Sequence, residues 1–188
     1  MADAFVIISG LPGSGKTTLA RPLSKALHLT LLDKDDILVS LFDTVGVANP
    51  DDRATLSRAS DAILETIAGS SGGAVLSSFW RREALSTTSG TPTEWIKHLP
   101  DGRVVEVACE CPPERAADRF LGRVRHPSHF DNGVTRPELL AQFERLASQG
   151  PLGIGTLVCV DTSAPVAIPD VLIAVRDALG QAAKPRQL

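Results

Sequence analysis

A glycine-rich octapeptide near the N-terminus carries the most specific chemical signal in the chain. Gly10 to Thr17 reads Gly-Leu-Pro-Gly-Ser-Gly-Lys-Thr and matches the phosphate-loop pattern G-x-x-x-x-G-K-[ST] in full. Glycines let backbone N–H groups turn inward around phosphate oxygens, and the helix after them points its positive end the same way. Lys16 is expected to bridge the outer phosphates, and Thr17 to place its hydroxyl on Mg²⁺. The motif therefore predicts a site for ATP, or a related triphosphate, with Mg²⁺.

The predicted nucleotide-binding residues are continuous along the chain. They are Gly10, Leu11, Pro12, Gly13, Ser14, Gly15, Lys16, Thr17 and Thr18. The apolar run Phe5 to Ser9 precedes them, and leucines and alanines at helical spacing follow them. The loop thus lies between a strand and a helix, which is the context that this motif requires.

Acidic residues follow the second buried run of the chain, Leu29 to Leu32. Transfer of a phosphoryl group to an alcohol needs one group to accept the hydroxyl proton and another to organise the metal. We assign Asp35 the first role, as a catalytic and substrate-binding residue, and Asp33 the second, as a metal-site residue beside Thr17. Asp36 is expected to cap the helix that starts near Ile37. The alternative for the whole group is a solvated acidic turn.

Arginines recur at every fourth position later in the chain, at Arg115, Arg119 and Arg123. Guanidinium forks suit phosphate oxygens, and charge on a transferred phosphoryl group must be neutralised. Arg119 and Arg123 are therefore assigned to catalysis together with Lys16, on a helical lid around residues 115–135. His129, within this lid, is a candidate substrate contact. A solvated basic helix face is the alternative.

Short apolar runs alternate with helical patterns through the remaining chain. The predicted strands are Phe5–Ser9, Leu29–Leu32, Ala74–Phe79, Arg103–Cys109 and Thr156–Val160. The predicted helices follow Lys16, Asn49, Pro113, Thr135 and Pro169, and Gly180 is expected to stop the last one. This alternation predicts an α/β fold of three layers, with a five-stranded parallel sheet between helices. Residues 1–181 are expected to form one domain and residues 182–188 a tail.

Composition restricts the classes of function. The 188 residues are 43% apolar and 22% charged, with a formal net charge of -3. No segment approaches the roughly 18 apolar residues of a membrane span, and the acidic balance makes nucleic acid an improbable partner. Three cysteines without a zinc pattern fit a reduced, cytoplasmic protein. The composition leaves a monomer and a homodimer both open.

Several segments together resemble the gluconokinase and shikimate-kinase-like group of small P-loop kinases, of the AAA_33 type. The segments are the phosphate loop, Leu32-Asp33-Lys34-Asp35-Asp36, Arg119-x-x-x-Arg123 continuing to His129-Phe130, and Leu139-Leu140-x-x-Gln142-Phe143-Glu144-x-Leu146. The resemblance implies a P-loop kinase fold, ATP and Mg²⁺ as cosubstrates, and transfer to a hydroxyl of a sugar acid or polyol.

The sequence departs from gluconokinases just after the acidic group. Ile37 to Phe42 stands where those enzymes carry a His-Pro and then an Asn and Lys-Met substrate segment. Arg81 and Arg82 follow the third strand and could hold an anionic group of the acceptor, the alternative being plain surface charge. A broader resemblance to chloramphenicol-phosphotransferase-like and polynucleotide-kinase-like proteins also exists.

Three functions follow from these features. The leading expectation is an ATP-dependent kinase that phosphorylates a hydroxyl of a sugar acid, polyol or antibiotic. A polynucleotide 5′-hydroxyl kinase is an alternative, since Lys34-Asp35-Asp36 is similar to the acidic motif of that family. A nucleotide-binding regulatory or toxin-type protein is the third.

Overall fold

Strands and helices alternate along the whole chain. The structure is a computed structural model and describes residues 4–81, 90–99, 103–130 and 133–182. The strands are β1 (Ala4–Gly10), β2 (Thr30–Asp33), β3 (Gly73–Ser77), β4 (Arg103–Glu110) and β5 (Thr156–Asp161). The helices are α1 (Lys16–Leu27), α2 (Lys34–Val45), α3 (Pro50–Ser70), α4 (Pro113–Gly122), α5 (Arg136–Ala147) and α6 (Ile168–Ala182). Two 3₁₀ turns, Glu94–His98 and Pro127–His129, lie in the connections.

The five strands form one parallel sheet in the order β2-β3-β1-β4-β5. The central strand is β1, in which Ala4 is level with Gly73 of β3 and with Arg103 of β4. Because the chain leaves β1 toward one edge and later returns to its other side, a crevice opens at the carboxyl ends of β1 and β3. The predicted parallel sheet is confirmed, and its crevice is where the phosphate loop starts.

Apolar side chains cover both faces of the sheet, which confirms the three-layer architecture. Phe5 to Ile8 of β1 are completely buried, as expected for a strand with helices on both sides. One face packs against α1 and α6, and the other packs against α3 and Trp95. A separate apolar cluster, which includes Ala116 and Phe143, joins α4 to α5 away from the sheet.

A buried carboxylate fixes the connection between α5 and β5. Glu106 of β4 is fully buried and accepts hydrogen bonds from the hydroxyl of Ser9 at 2.6 Å and from the backbone of Leu152 and Gly153 at 2.8 and 2.9 Å. A buried charge is tolerated only where hydrogen bonds replace its water. Glu106 therefore holds this connection against the sheet.

Two predicted helix caps are confirmed. Asn49 accepts hydrogen bonds from the backbone of Asp51 and Asp52 at 2.9 Å, so it caps α3. Thr135 and Glu138 form the predicted capping box at the start of α5. Both caps are local patterns, and local patterns are visible in the sequence.

Two predicted boundaries are wrong. Asp33, not Asp36, caps α2, since its carboxylate accepts the backbone N–H of Asp35 at 3.0 Å. Asp36 instead lies in the first turn and pairs with the exposed Arg21 at 3.3 Å. The last helix passes through Gly180, because the cost of about 1 kcal/mol for a helical glycine is small beside the burial of neighbours such as Leu179. Ala182 is thus still helical, and residues 183–188 lie outside the described part.

Within the described residues, no helix has both the length and the apolar character that crossing a membrane requires.

Candidate active site

The phosphate loop is closed by its own lysine. The Lys16 ammonium donates to the carbonyl oxygens of Gly10 at 3.1 Å and Leu11 at 2.8 Å, while the backbone N–H of Ser14 donates to Leu11 at 3.0 Å. Burial lowers the pKa of Lys16 to about 8. A buried ammonium that is hydrogen-bonded only to carbonyl oxygens is strongly stabilised by a nearby anion. The charge of Lys16 therefore favours binding of phosphate in the loop.

The phosphate loop also contacts the helix that leads to the predicted lid. Gly13 has a φ of 79°, and a Cβ atom on it would lie 2.2 Å from the carbonyl oxygen of Ala116 in α4. Only glycine permits this approach, because both the backbone angle and the space exclude a side chain. The position of α4 is therefore coupled directly to the shape of the phosphate loop.

Thr17 and Asp33 provide oxygen atoms that fit a magnesium ion. The Thr17 hydroxyl donates to Oδ2 of Asp33 at 2.9 Å, at the mouth of the phosphate loop. Burial raises the pKa of Asp33, an effect that the hydrogen bond from Thr17 opposes. A hydroxyl and a carboxylate are ligands of the kind that Mg²⁺ prefers. A divalent cation here would favour the ionised carboxylate, so the pair fits the ion that the sequence predicts.

Asp35 lies in the first turn of α2, across the crevice from the phosphate loop. Its side chain is 56% exposed and faces the cavity, where Arg125 approaches one carboxylate oxygen at 3.7 Å. The position at the end of β2 is the one that the parallel sheet predicts for a ligand-facing group. An accessible carboxylate here can reach the hydroxyl of a molecule bound in the cavity.

One cavity of about 860 Å³ joins the phosphate loop to the inner face of α3. Its cationic lining residues are Lys16, Lys34, Arg53, Arg58, Arg81, Arg119, Arg123 and Arg125. Its acidic lining residues are Asp35 and Asp61. The cavity is thus strongly basic although the whole chain has a net charge of -3. Such a field favours anions at both ends of the cavity.

The lid arginines have different surroundings. Arg119 donates to the backbone carbonyls of Thr162 at 2.8 Å and Ser163 at 3.0 Å, so its guanidinium holds the loop after β5. Arg115 donates to Ser163 as well. Arg123 directly follows α4, and its guanidinium carbon lies 4.8 Å above the centre of the Phe120 ring. Arg119 and Arg123 both line the cavity.

The wall formed by α3 was not foreseen from the sequence. Arg53, Ser57 and Asp61 recur at four-residue spacing and line the cavity along one face of the helix. Lys34 connects α2 to this face, because its ammonium lies 2.8 Å from Asp61 and 3.1 Å from Ser57. The spacing was visible in the sequence, but a polar stripe on a helix usually faces solvent.

The structure brings most of the predicted site residues together. Those that line the cavity are Pro12, Gly13, Gly15, Lys16, Thr17, Thr18, Asp35, Arg81, Arg119 and Arg123. Those that lie outside the lining are Gly10, Leu11, Ser14, Asp33 and His129. His129 is 5% exposed and packs against Phe42 of α2. Arg82 lies outside the described residues.

Known structures share this arrangement of strands and helices. A candidate kinase from Chloroflexus aurantiacus has a TM-score of 0.72 at 23% identity and covers 97% of this chain and 98% of its own. Shikimate kinase from Bacteroides thetaiotaomicron has a TM-score of 0.60 at 14% identity, with 94% and 98% covered. A gluconokinase from Sinorhizobium meliloti has a TM-score of 0.50 at 19% identity, with 97% and 93% covered. These likenesses show that the chain has the P-loop kinase fold.

Among curated proteins, no sequence matches this chain significantly. The family model described as AAA domain, AAA_33, matches residues 5–148. The matched region extends from β1 through the phosphate loop, the acidic group and the lid arginines to the end of α5. The chain therefore belongs to the AAA_33 family of P-loop AAA domains.

Proposed function

We propose that this protein is an ATP- and Mg²⁺-dependent phosphotransferase that phosphorylates a hydroxyl group of a small anionic molecule, such as a sugar acid. One observation carries the proposal. One basic cavity is lined by the phosphate loop, by Asp35 and by the arginines Arg53 and Arg58 of α3. The α3 arginines extend the basic lining beyond the phosphate loop, so the same cavity can accommodate a second anionic molecule beside the nucleotide.

The phosphate loop would hold the triphosphate. Lys16 would exchange its two carbonyl contacts for the outer phosphate oxygens, and backbone N–H groups from Gly13 to Thr18 would surround the remaining oxygens. Thr17 and Asp33 would hold Mg²⁺, which when bound neutralises charge on the outer phosphates. These contacts orient the terminal phosphoryl group toward Asp35.

Asp35 would act as the general base. Its carboxylate would accept the proton of the acceptor hydroxyl as that oxygen bonds to the terminal phosphorus and ADP leaves. Its exposure to the cavity gives the hydroxyl access to the carboxylate. Asp33, which is buried and already bonded to Thr17, is less suited to this role.

The lid arginines would act on the nucleotide side. Arg123 lies close enough to Lys16 to oppose the charge of its ammonium, which places it near the transferred group. We assign Arg123 to stabilisation of the charge that develops during transfer. Arg119, whose guanidinium is engaged by the loop after β5, would hold the nucleotide end of the cavity together while the lid closes.

The acceptor would be recognised by arginines opposite the phosphate loop. The Nε atoms of Arg53 and Arg81 are buried and have no hydrogen-bond partner among the described residues. Unsatisfied buried donors are costly and favour an acceptor oxygen that can pair with them. A carboxylate or phosphate group binds guanidinium most strongly, so we infer an anionic acceptor rather than a neutral polyol or a cationic antibiotic.

A transfer assay with ATP labelled on its γ-phosphate tests the proposal directly. The panel would contain sugar acids, neutral polyols, aminoglycosides, nucleosides and DNA with free 5′-hydroxyl ends. We expect Mg²⁺-dependent label on an anionic small molecule. Label on DNA ends would establish a polynucleotide kinase instead, and release of phosphate without any labelled acceptor would favour a regulatory nucleotide-binding protein.

A further inference from the structure

The segment from the end of α4 through the second 3₁₀ turn packs on the C-terminal half of α2. We call residues 123–130 the lid segment. Phe42 of α2 is 3% exposed because two lid histidines cover it. Its ring centre lies 5.4 Å from that of His126, at an interplanar angle of 33°, and 5.2 Å from that of His129, edge-on at 80°. The lid segment is therefore seated on a specific aromatic side chain.

His126 adds a polar contact that fixes the position of the lid segment on α2. Its Nε2 atom lies 3.2 Å from a carboxylate oxygen of Asp43, while its Nδ1 atom accepts the backbone N–H of Ser128 at 3.2 Å. A neutral imidazole protonated on Nε2 satisfies both contacts at once. We refer to the contacts of His126 and His129 with Phe42 and Asp43 as the lid clasp.

The lid clasp sets the position of Arg125. The guanidinium of Arg125 lies 3.0 Å from Nδ1 of His129 and 5.5 Å from the centre of the Phe120 ring, and its side chain is only 18% exposed. Arg125 also lines the cavity, where its guanidinium lies 3.7 Å from the Asp35 carboxylate. The side chain of Arg125 is therefore held by His129 and Phe120, whereas the side chain of Asp35 is accessible to solvent.

We propose that Arg125, held by the lid clasp, is a positioning residue that engages Asp35 while no acceptor is bound and so keeps this carboxylate from activating water. The inference rests on the proposed role of Asp35 as the general base. An acceptor whose anionic group binds the arginines of α3 has enough binding energy for its hydroxyl to displace Arg125 from Asp35. A water molecule has no such additional contacts and leaves the Arg125–Asp35 pair in place.

The reaction that Arg125 restrains is hydrolysis of ATP. In that reaction a water oxygen bonds to the terminal phosphorus while the bond from that phosphorus to the β–γ bridging oxygen breaks. ADP leaves with the electron pair, and the water proton passes to Asp35 and then to solvent. While the Arg125 guanidinium lies against Oδ2 of Asp35, that oxygen is less accessible to a water molecule.

Release of phosphate from ATP and Mg²⁺ alone, with no acceptor present, measures this restraint. We expect Arg125→Met to raise the hydrolysis rate roughly two- to fivefold, the factor that a partly exposed ion pair is worth. Arg125→Lys should stay close to the wild-type rate because it keeps the cation. The gain should disappear when Asp35→Asn is combined with Arg125→Met. An unchanged or lower rate in folded Arg125→Met would overturn the proposal.

A clasp variant tests the same idea without altering Arg125. Asp43→Ala should speed hydrogen exchange of the backbone amides at residues 123–130 by roughly two- to fivefold and raise acceptor-free hydrolysis in the same direction. Asp36→Ala is the matched control, because it removes an exposed ion pair on the same helix and should change neither. Unchanged exchange, or faster exchange without faster hydrolysis, would contradict the proposal. Failure of the proposed function is distinguishable from these outcomes. It would appear as the absence of any labelled acceptor in the assay with γ-labelled ATP.

Discussion

The phosphate-loop end of the cavity and the end that we propose for the acceptor are built in opposite ways. The nucleotide end consists of one continuous loop, Gly10 to Thr17, whose groups bond mainly to its own backbone. The acceptor end is assembled from side chains of α2, α3, the end of β3 and the lid segment, which meet only after folding. One end therefore depends on local chain geometry, and the other depends on the packing of several elements.

This difference implies that the two ends respond differently to substitution. A change in the phosphate loop should affect nucleotide binding and the fold together, because Gly13 approaches α4 at backbone distance. A change on the face of α3 should affect the acceptor alone, because Arg53 lines the cavity from a helix separate from the phosphate loop. Substitutions in the two regions therefore show whether the two ends of the cavity function independently or as one unit.

Among the four changes that compare the two ends, the largest effect is expected from Lys16→Ala. The buried ammonium would contact the outer phosphates in the ground state and in the transition state alike, so both ATP affinity and transfer should fall, the latter by roughly 10²–10³-fold. Calorimetric titration with ATP and steady-state transfer would measure the two losses. Full turnover at saturating ATP would show that the loop is not the catalytic phosphate site.

Gly13→Ala should weaken the fold as well as the site. A Cβ atom at this position would lie 2.2 Å from the carbonyl oxygen of Ala116, whereas one on Gly150, with a similar φ of 67°, would meet nothing within 4 Å. Both substitutions carry backbone strain, but Gly13→Ala should cost about 1–3 kcal/mol more because of the close contact. Urea unfolding of the two variants would measure the difference. Equal losses would mean that the loop and α4 are not coupled.

Arg53→Ala should affect the acceptor end alone. Loss of a charge-assisted contact to an anionic acceptor, worth about 1.5–3 kcal/mol, should raise the acceptor KM roughly 10- to 100-fold and leave ATP affinity unchanged. Arg145→Ala, which removes an exposed arginine outside the cavity, is the control. A parallel fall in ATP affinity would show that the α3 wall serves the nucleotide as well.

Proton uptake on ATP binding is the smallest of these effects. Burial lowers the pKa of Lys16 to about 8, so roughly half of this lysine is neutral at pH 8 in the free protein. Phosphate favours the ammonium, which means that binding should take up about half a proton at pH 8, less at pH 7 and more at pH 9. Calorimetry in buffers of different ionisation enthalpy gives the number of protons taken up on ATP binding. Lys16→Arg should abolish the dependence of this number on pH. A trend that Lys16→Arg retains would assign the proton to another group.

The parts of the molecule that the sequence predicted are those with short-range causes. The strands, the phosphate loop, the Asn49 cap and the capping box at Thr135 depend on neighbours within a few residues. The parallel sheet followed from the alternation of strands and helices. The predicted end of the last helix at Gly180 was wrong for a long-range reason. Packing of α6 on the sheet outweighs the weak helix propensity of one glycine.

The contacts that build the proposed acceptor end had long-range causes too, and the sequence did not predict them. Lys34 meets Asp61 across 27 positions of sequence, and His126 meets Asp43 across 83. No local pattern indicates such contacts, and the polar stripe on α3 looks the same whether it faces solvent or a cavity. The cavity-lining position of Asp35 was predictable because this residue lies just beyond the end of β2, where the sheet topology places it at the crevice.

The proposed phosphotransferase activity depends most directly on Asp35, and a comparison of two variants tests this dependence. Asp35→Asn keeps the size of the side chain but removes the basic oxygen, so transfer to the identified acceptor should fall roughly 10²–10⁴-fold. ATP affinity by calorimetry should stay near the wild-type value, and Asp36→Asn, which alters an exposed acid in the same turn of α2, should change neither. Near wild-type transfer by folded Asp35→Asn would contradict the account and leave the acidic group as a surface feature of α2.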